Sequence, residues 1–242
     1  MPTQNVTAGL QGRVTKQANS VTNWLSQVRN SSTGTGANTY SSATLESNAF
    51  RASYTSGRVG NSGVVFRTFL FFDVSSVPGT IDSATLQIYG TTQGTSDAFI
   101  VESTAWGGNG SSTSMTTSMY DDLDFSQPYS QSSISTWSIS TSSPNQFTIN
   151  SAGLTDMNTN GYLNVALINK TYDYDGLSPL IGTSVASGVR FKNTTYPIRL
   201  VIDYTEGYDN DVAGVVNTKI DEVIARASNK IQNVIGTPVS PP

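Results

Sequence analysis

An all-β chain folded as an antiparallel sandwich or jelly roll is predicted by three observations. Short apolar runs recur between Ser/Thr/Asn/Gly clusters from residue 20 to residue 205. Several of those runs alternate with period two, the spacing that sets one face of a strand against a core. Charged residues make up only 12% of the 242 residues, against a usual ~25%. Ser and Thr fill the gap, at roughly a quarter of the chain. Their hydroxyls tolerate strands and serve turns without adding charge.

The pattern divides the chain into an N-terminal arm at 1–19, a jelly-roll sandwich at 20–205 and an amphipathic tail at 206–242. The arm is polar, with Val6, Leu10 and Val14 as scattered apolar residues. In 19–30, Val21, Trp24, Leu25 and Val28 lie at helical spacing. That run is short, and a strand over TNWLSQV stays open. VVFRTFLFFDV at 64–74 is apolar without alternation, as in a strand covered on both faces. ATLQIYG (84–90) places Leu86 and Ile88 two apart. AFIVEST (98–104), STWSIS (135–140), QFTI (146–149), YLNVALI (162–168) and PIRLVIDY (197–204) complete the strands.

The tail has a different period. NTKIDEVIA and SNKIQNVIG repeat at a spacing of eleven residues, pairing Ile220 with Ile231, Val223 with Val234 and Ile224 with Ile235. Eleven residues fill three helical turns, so these side chains, with Val216, form one stripe. Asn217 suits the start and Gly236 with Pro238 the stop. A stripe of this kind must bury against the body or another chain. A partner-facing or self-associating helix is expected, with a short β repeat as the alternative.

Composition excludes much chemistry. The chain has no His and no Cys. Imidazole bases, Ser-His-Asp triads, thiolate nucleophiles and disulfides are absent with them. Paired carboxylates are the remaining catalytic resource, and nothing sets two at a defined distance, so no enzyme and no cofactor are expected. Acidic clusters occur at YDDLD (120–124), YDYDG (172–176) and YDNDVAG (208–214). Asp173 and Asp175 loosely echo a Ca²⁺ loop and are the metal candidates. Turn-forming Asp and Asn is the competing reading. Trp106, Tyr120, Tyr172 and Tyr174 sit among polar residues and are the candidates for stacking on a sugar. Against this, Trp106 also suits a plug at one end of the core.

Net charge is −4, with no footprint for nucleic acid. Charge is uneven: residues 1–70 carry six bases and one acid, residues 71–210 thirteen acids and four bases. No run of 18 apolar residues occurs, so no membrane span is expected. MPTQNVTAGLQGRV lacks a basic n-region and an apolar h-region, so signal-peptide export is not expected.

The block VFRTFLFFDVSSVPGTIDSATLQIYG (65–90) resembles the DNRLRE-type domain. The likeness rests on Arg67, Phe69, Leu70, Phe72 and Asp73, then Ser76 and Pro78, then Ile81, Ser83, Ala84, Leu86, Ile88 and Tyr89. NWLSQVRNSSTGTGANTYSSATLES resembles that family's opening strand, loop and second strand. Gly161, Leu163, Val165, Ala166 and Leu167 resemble its late core strand. Phe191, Pro197, Leu200, Ile202 and Tyr204 resemble its closing element. The resemblance covers about 20–204 and implies a jelly roll related to carbohydrate-binding modules of bacterial surface proteins. The Val-x-x-x-Lys-Ile-x-x-Val tail is similar to tails on virion proteins of tailed bacteriophages. That likeness implies a virion component assembled in the host cytoplasm, such as a head decoration, head-fibre or tail accessory protein. Its partners would be other virion proteins and copies of itself. A carbohydrate-binding module for surface or extracellular polysaccharide is the alternative.

Overall fold

Strand β5 (Ser62–Asp73) is buried at every position from Arg67 to Phe72. Its even residues Leu70 and Phe72 enter one hydrophobic core, and its odd residues Val65, Phe69 and Phe71 enter another. A strand alternates its side chains, so a run with no polar face needs a layer on each side. The computed structural model, which describes residues 1–40, 48–58, 60–90, 95–140, 142–180, 182–191 and 196–207, provides both layers.

The remaining strands are β1 (Thr3–Thr7), β2 (Leu10–Asn19), β3 (Gly36–Tyr40), β4 (Asn48–Thr55), β6 (Gly79–Ile88) and β7 (Thr95–Ser103). They continue with β8 (Leu123–Pro128), β9 (Ile134–Thr136), β10 (Asn145–Thr148), β11 (Tyr162–Asn169), β12 (Val185–Phe191) and β13 (Arg199–Glu206). All described pairings are antiparallel. The smaller sheet has the order β1-β13-β6-β10. The larger runs β12-β4-β5-β11-β7-β8, with β2 on β5, β3 on β2 and β9 on β7. β2 takes one edge of β5 from Ser62 to Phe71. The other edge is shared: β4 pairs with Ser62–Phe66 and β11 with Thr68–Asp73.

The first core lies between the sheets. Leu86 and Ile88 of β6 and Leu200 and Ile202 of β13 meet Leu70, Phe72, Ile100, Leu163, Val165 and Leu167 from the larger sheet. The second core lies on the outer face of the larger sheet, beneath a layer of loops. Trp24 and Val28, Ala105 and Trp106, and Met115, Met119 and Tyr120 pack there against Phe69, Phe71, Phe99, Ala166 and Ile168. Two glycines let this layer close down. A Cβ on Gly63 would lie 2.9 Å from Val28 Cγ2, and one on Gly12 would lie 2.9 Å from Trp106 Cη2. The loops reach the strand backbone because these positions carry no side chain.

Several expectations are corrected. Residues 1–19 are not an arm: β1 pairs with β13 and β2 with β5, one in each sheet. The first segment is therefore part of both layers, despite its polar composition. Residues 25–29 form a π-helical turn, not the opening strand implied by the DNRLRE resemblance. Val21, Trp24 and Val28 are buried together, as helical spacing places them. STWSIS is a strand only to Thr136: Trp137 plugs the first core, and Ile139 is exposed. An unpredicted helix, α1 (Ser151–Asn160), precedes β11. Asn150 caps it by accepting from the Gly153 N–H, and Gly161 ends it in the left-handed region at φ 74°.

The chain divides into Met1–Thr205 and Glu206–Pro242. The tail candidates Val216, Ile220, Val223, Ile224, Ile231, Val234 and Ile235 lie outside the described residues, as does the acidic cluster at 208–214. Among the described residues, no helix is long and apolar enough to cross a membrane.

Candidate functional site

Arg67 belongs to the odd series of β5, so its side chain enters the second core. A fully buried guanidinium needs a counter-charge and partners for its donors. Asp173, in the π-helical turn Lys170–Tyr174, supplies the charge. Arg67 Nε donates to Asp173 Oδ2 at 3.0 Å and Nη2 to Oδ1 at 2.7 Å. Nη1 donates to the Tyr120 carbonyl at 2.6 Å and Nη2 also to the Arg29 carbonyl at 2.7 Å. One side chain thereby joins β5 to three separate loops.

The surroundings reinforce this hub. The Tyr120 hydroxyl donates to the Val28 carbonyl at 2.9 Å, and the Arg67 guanidinium lies 3.9 Å from the Tyr120 ring centroid. Arg29 Nε donates to the Asp173 carbonyl at 2.7 Å and stacks 3.6 Å from the Phe125 centroid. Burial is the largest single influence and opposes the charge on Arg67, but the combined attraction of Asp173, Tyr120 and Asp121 holds the pKa above the ordinary arginine value. Burial pushes the Tyr120 phenol up, and it pulls Arg29 down against the attraction of Asp173.

The metal candidates do not converge. Asp173 gives both oxygens to Arg67, while Asp175 gives both to Lys170 Nζ at 2.7 and 2.8 Å. The second pair is partly exposed and contributes little. Among the described residues, no three acids form a group able to hold a metal ion.

The aromatic candidates separate. Trp106 and Tyr120 are both 0% exposed, so neither offers a stacking face. Trp106 fills the second core, not the end of the space between the sheets. Its backbone is left-handed at φ 61°, with Gly107, Gly108 and Gly110 also left-handed beside it. Tyr174 is half-buried, with its ring 4.6 Å from the Phe99 centroid. Tyr172 is half-buried and lines an open cleft of ≈ 550 Å³.

Sequence reasoning missed that cleft, whose lining includes Asp97. Strand β7 carries one residue more than β9 between Thr95 and Ala98, a bulge holding Ser96 and Asp97. Asp97 is left-handed at φ 45°. Its Oδ2 accepts the Thr171 N–H at 2.9 Å and the Thr171 hydroxyl. Behind it, Asn169 Nδ2 donates to Ser187 Oγ at 2.8 Å and to the Ser96 carbonyl at 3.2 Å. Sequence gave one faint signal, a Ser-Asp pair just before an apolar strand.

A third acidic grouping lies at the other end of β7. Glu102 stands opposite Asp124 of β8, like charges on facing positions. Burial, then Asp156, then Asp124 raise its pKa above the ordinary carboxylate value. A raised carboxylate costs stability when ionised and recovers it as pH falls through the folded-state pKa. Glu102→Gln should therefore melt above the parent protein at neutral pH, with the gap closing toward about pH 4. A lower melting temperature at neutral pH, or a gap independent of pH, would count against this.

Compared with known proteins, the chain matches no family model, and no curated protein matches it.

Proposed function

We propose that this chain is a non-enzymatic structural component of a bacteriophage virion, acting by protein–protein association. The supporting observation is the double-sided burial of the larger sheet. Both faces of its central strand β5 are covered, and Arg67, Asp173, Trp106 and Trp137 lie buried in the covering layers. Trp106, Tyr120, Arg67 and Asp173 support a rigid body and leave no substrate a reacting group at that hub. The eleven-residue repeat at 206–242 is then the segment that engages neighbours, with Ile220, Val223, Ile224, Ile231, Val234 and Ile235 as the contact stripe. The hydroxyl-rich body keeps charge low, and among the described residues the large apolar side chains left exposed are Met1, Ile139, Leu177 and Leu180.

The test is incorporation. Particles purified from a host expressing the full chain should carry it in fixed stoichiometry, and a chain ending at Thr205 should be missing from them. Particles that carry the truncated chain equally well, or neither chain, contradict the reading.

A further inference from the structure

We propose that Asn109 is a self-modification site: the backbone nitrogen of Gly110 displaces the Asn109 side-chain amide, leaving aspartate or isoaspartate in the loop that covers the second core. The chain has two Asn-Gly pairs, Asn109-Gly110 and Asn160-Gly161. Such pairs put an unshielded nitrogen beside an asparagine, because glycine has no Cβ to obstruct the approach.

The fold treats the two pairs differently. The Gly161 N–H closes helix α1 by donating to the Met157 carbonyl at 3.0 Å. That nitrogen is held, and it reacts only when the helix end opens. The Gly110 N–H has no hydrogen-bond acceptor among the described residues, and Asn109 is exposed. The Asn109 side chain is also turned onto the following backbone: its Oδ1 accepts the Ser111 N–H at 3.2 Å. This bond lays Cγ along the chain toward the Gly110 nitrogen. It also places a donor on the oxygen that gains negative charge when Cγ is attacked.

The steps balance with water as the co-reactant. Solvent base removes the Gly110 amide proton. The nitrogen bonds to Asn109 Cγ, the Cγ–Nδ2 bond breaks, and Nδ2 leaves as ammonia with a proton from solvent. The resulting succinimide ring then adds water at either of its carbonyls. Opening at one gives aspartate. Opening at the other gives isoaspartate, with the main chain routed through the side chain and lengthened by a carbon. Both products carry a negative charge where Asn109 was neutral.

The loop is tightly anchored where this happens. Asn164 of β11 donates from Nδ2 to the Ala105 carbonyl at 2.6 Å and to the Gly108 carbonyl at 3.1 Å. The Ser112 N–H donates to the Trp106 carbonyl at 3.1 Å. Gly110, at φ 81°, packs so closely on β5 that a Cβ there would lie 2.7 Å from the Phe71 ring. A longer main chain between residues 109 and 110 breaks this fit, so isoaspartate loosens the cover over Trp106 and Phe71.

The test is ageing of the full chain in mildly alkaline buffer at physiological temperature, with peptide mass spectrometry of samples taken over weeks. Asn109 should deamidate about tenfold faster than Asn160, the factor set by one backbone hydrogen bond that must open first. In guanidinium-unfolded chain the two sites should react at similar rates, because the helix end no longer holds Gly161. Asn109→Ser keeps an acceptor for Ser111 and should remove the fast-growing acidic species on isoelectric focusing. The isoaspartate-bearing fraction, separated by anion exchange, should unfold at lower urea than unaged protein. Equal rates in the folded chain, Asn160 ahead of Asn109, or no reaction at Asn109 while the unfolded chain reacts at both sites would overturn the site. If Asn109→Ser fails to fold, the folded-against-unfolded comparison of the parent chain decides the matter. An isoaspartate-bearing fraction as stable as unaged protein would overturn the loosening of the cover. Each of these results leaves the incorporation experiment unaffected, because that experiment depends on the tail and not on this loop.

Discussion

Replacing Asp173 with Ala should cost about 3–5 kcal/mol of stability, the scale for stripping one partner from a buried ion pair. The reason is what stays behind. Arg67 is 0% exposed, and without Asp173 its charge has no counter-ion at hydrogen-bond distance. Arginine does not neutralise itself by losing a proton at ordinary pH, so the cost falls on the fold. For a body of this size the melting temperature should drop by on the order of 10 °C. Replacing both members together, Arg67→Met with Asp173→Leu, should recover part of the loss. Recovery is incomplete because Arg67 also serves the Tyr120 and Arg29 carbonyls, which lose their donor. Urea unfolding of the single and double variants checks this. A single-variant loss under about 1 kcal/mol would mean that water reaches the pair, and that it is not a hub.

Trp106→Ala should be as damaging, by about 3–5 kcal/mol, through the cavity it leaves in the second core. The indole Nε1 has no hydrogen-bond partner among the described residues, so the ring contributes by packing alone. The backbone at this position gives a sharper expectation. At φ 61° an alanine keeps the left-handed strain, roughly 1–2 kcal/mol, while a glycine does not. Trp106→Gly should therefore be at least as stable as Trp106→Ala, the reverse of the usual order. Equilibrium unfolding of the two variants measures it. Alanine more stable than glycine by a kilocalorie or so would contradict the left-handed conformation.

The strands most legible in the sequence are those whose apolar residues announce a face. β5, β6, β7, β11 and β13 all carry Val, Ile, Leu or Phe at two-residue spacing or in unbroken runs. β2 was hidden because it packs through Gly12 and Gln11 as much as through Val14, and buried glycine carries no hydrophobic signal. β1 is amphipathic only at the level of Val6 among Thr, Gln and Asn. Helix α1 was missed for a related reason: its buried residues are Gly153 and Met157, with Ala152 and Leu154 partly buried beside them, a weak stripe whose start is set by a cap. The helical spacing of Val21, Trp24 and Val28 was informative, and the family likeness at that point misled.

The hub was half visible. An arginine inside a strand that must be covered on both faces has to meet a buried acid, but the partner lies 106 residues away and no local pattern names it. Asp173 stood out as a metal candidate because carboxylates in a turn suit a cation; the cation is a guanidinium. Exposed aromatics in polar loops were expected at Trp106 and Tyr120, yet those loops fold onto the sheet as a layer with its own core. Loop composition alone does not reveal that a loop lies over a second apolar face.

The association account is tested most directly by sedimentation equilibrium of the full chain beside a chain ending at Thr205. The account predicts a stable multimer for the full chain and a folded monomer for the shorter one, because every core residue among the described ones precedes Thr205 and the repeat is the proposed contact. A full chain that stays monomeric, or a shorter chain with the same multimeric state, would contradict it.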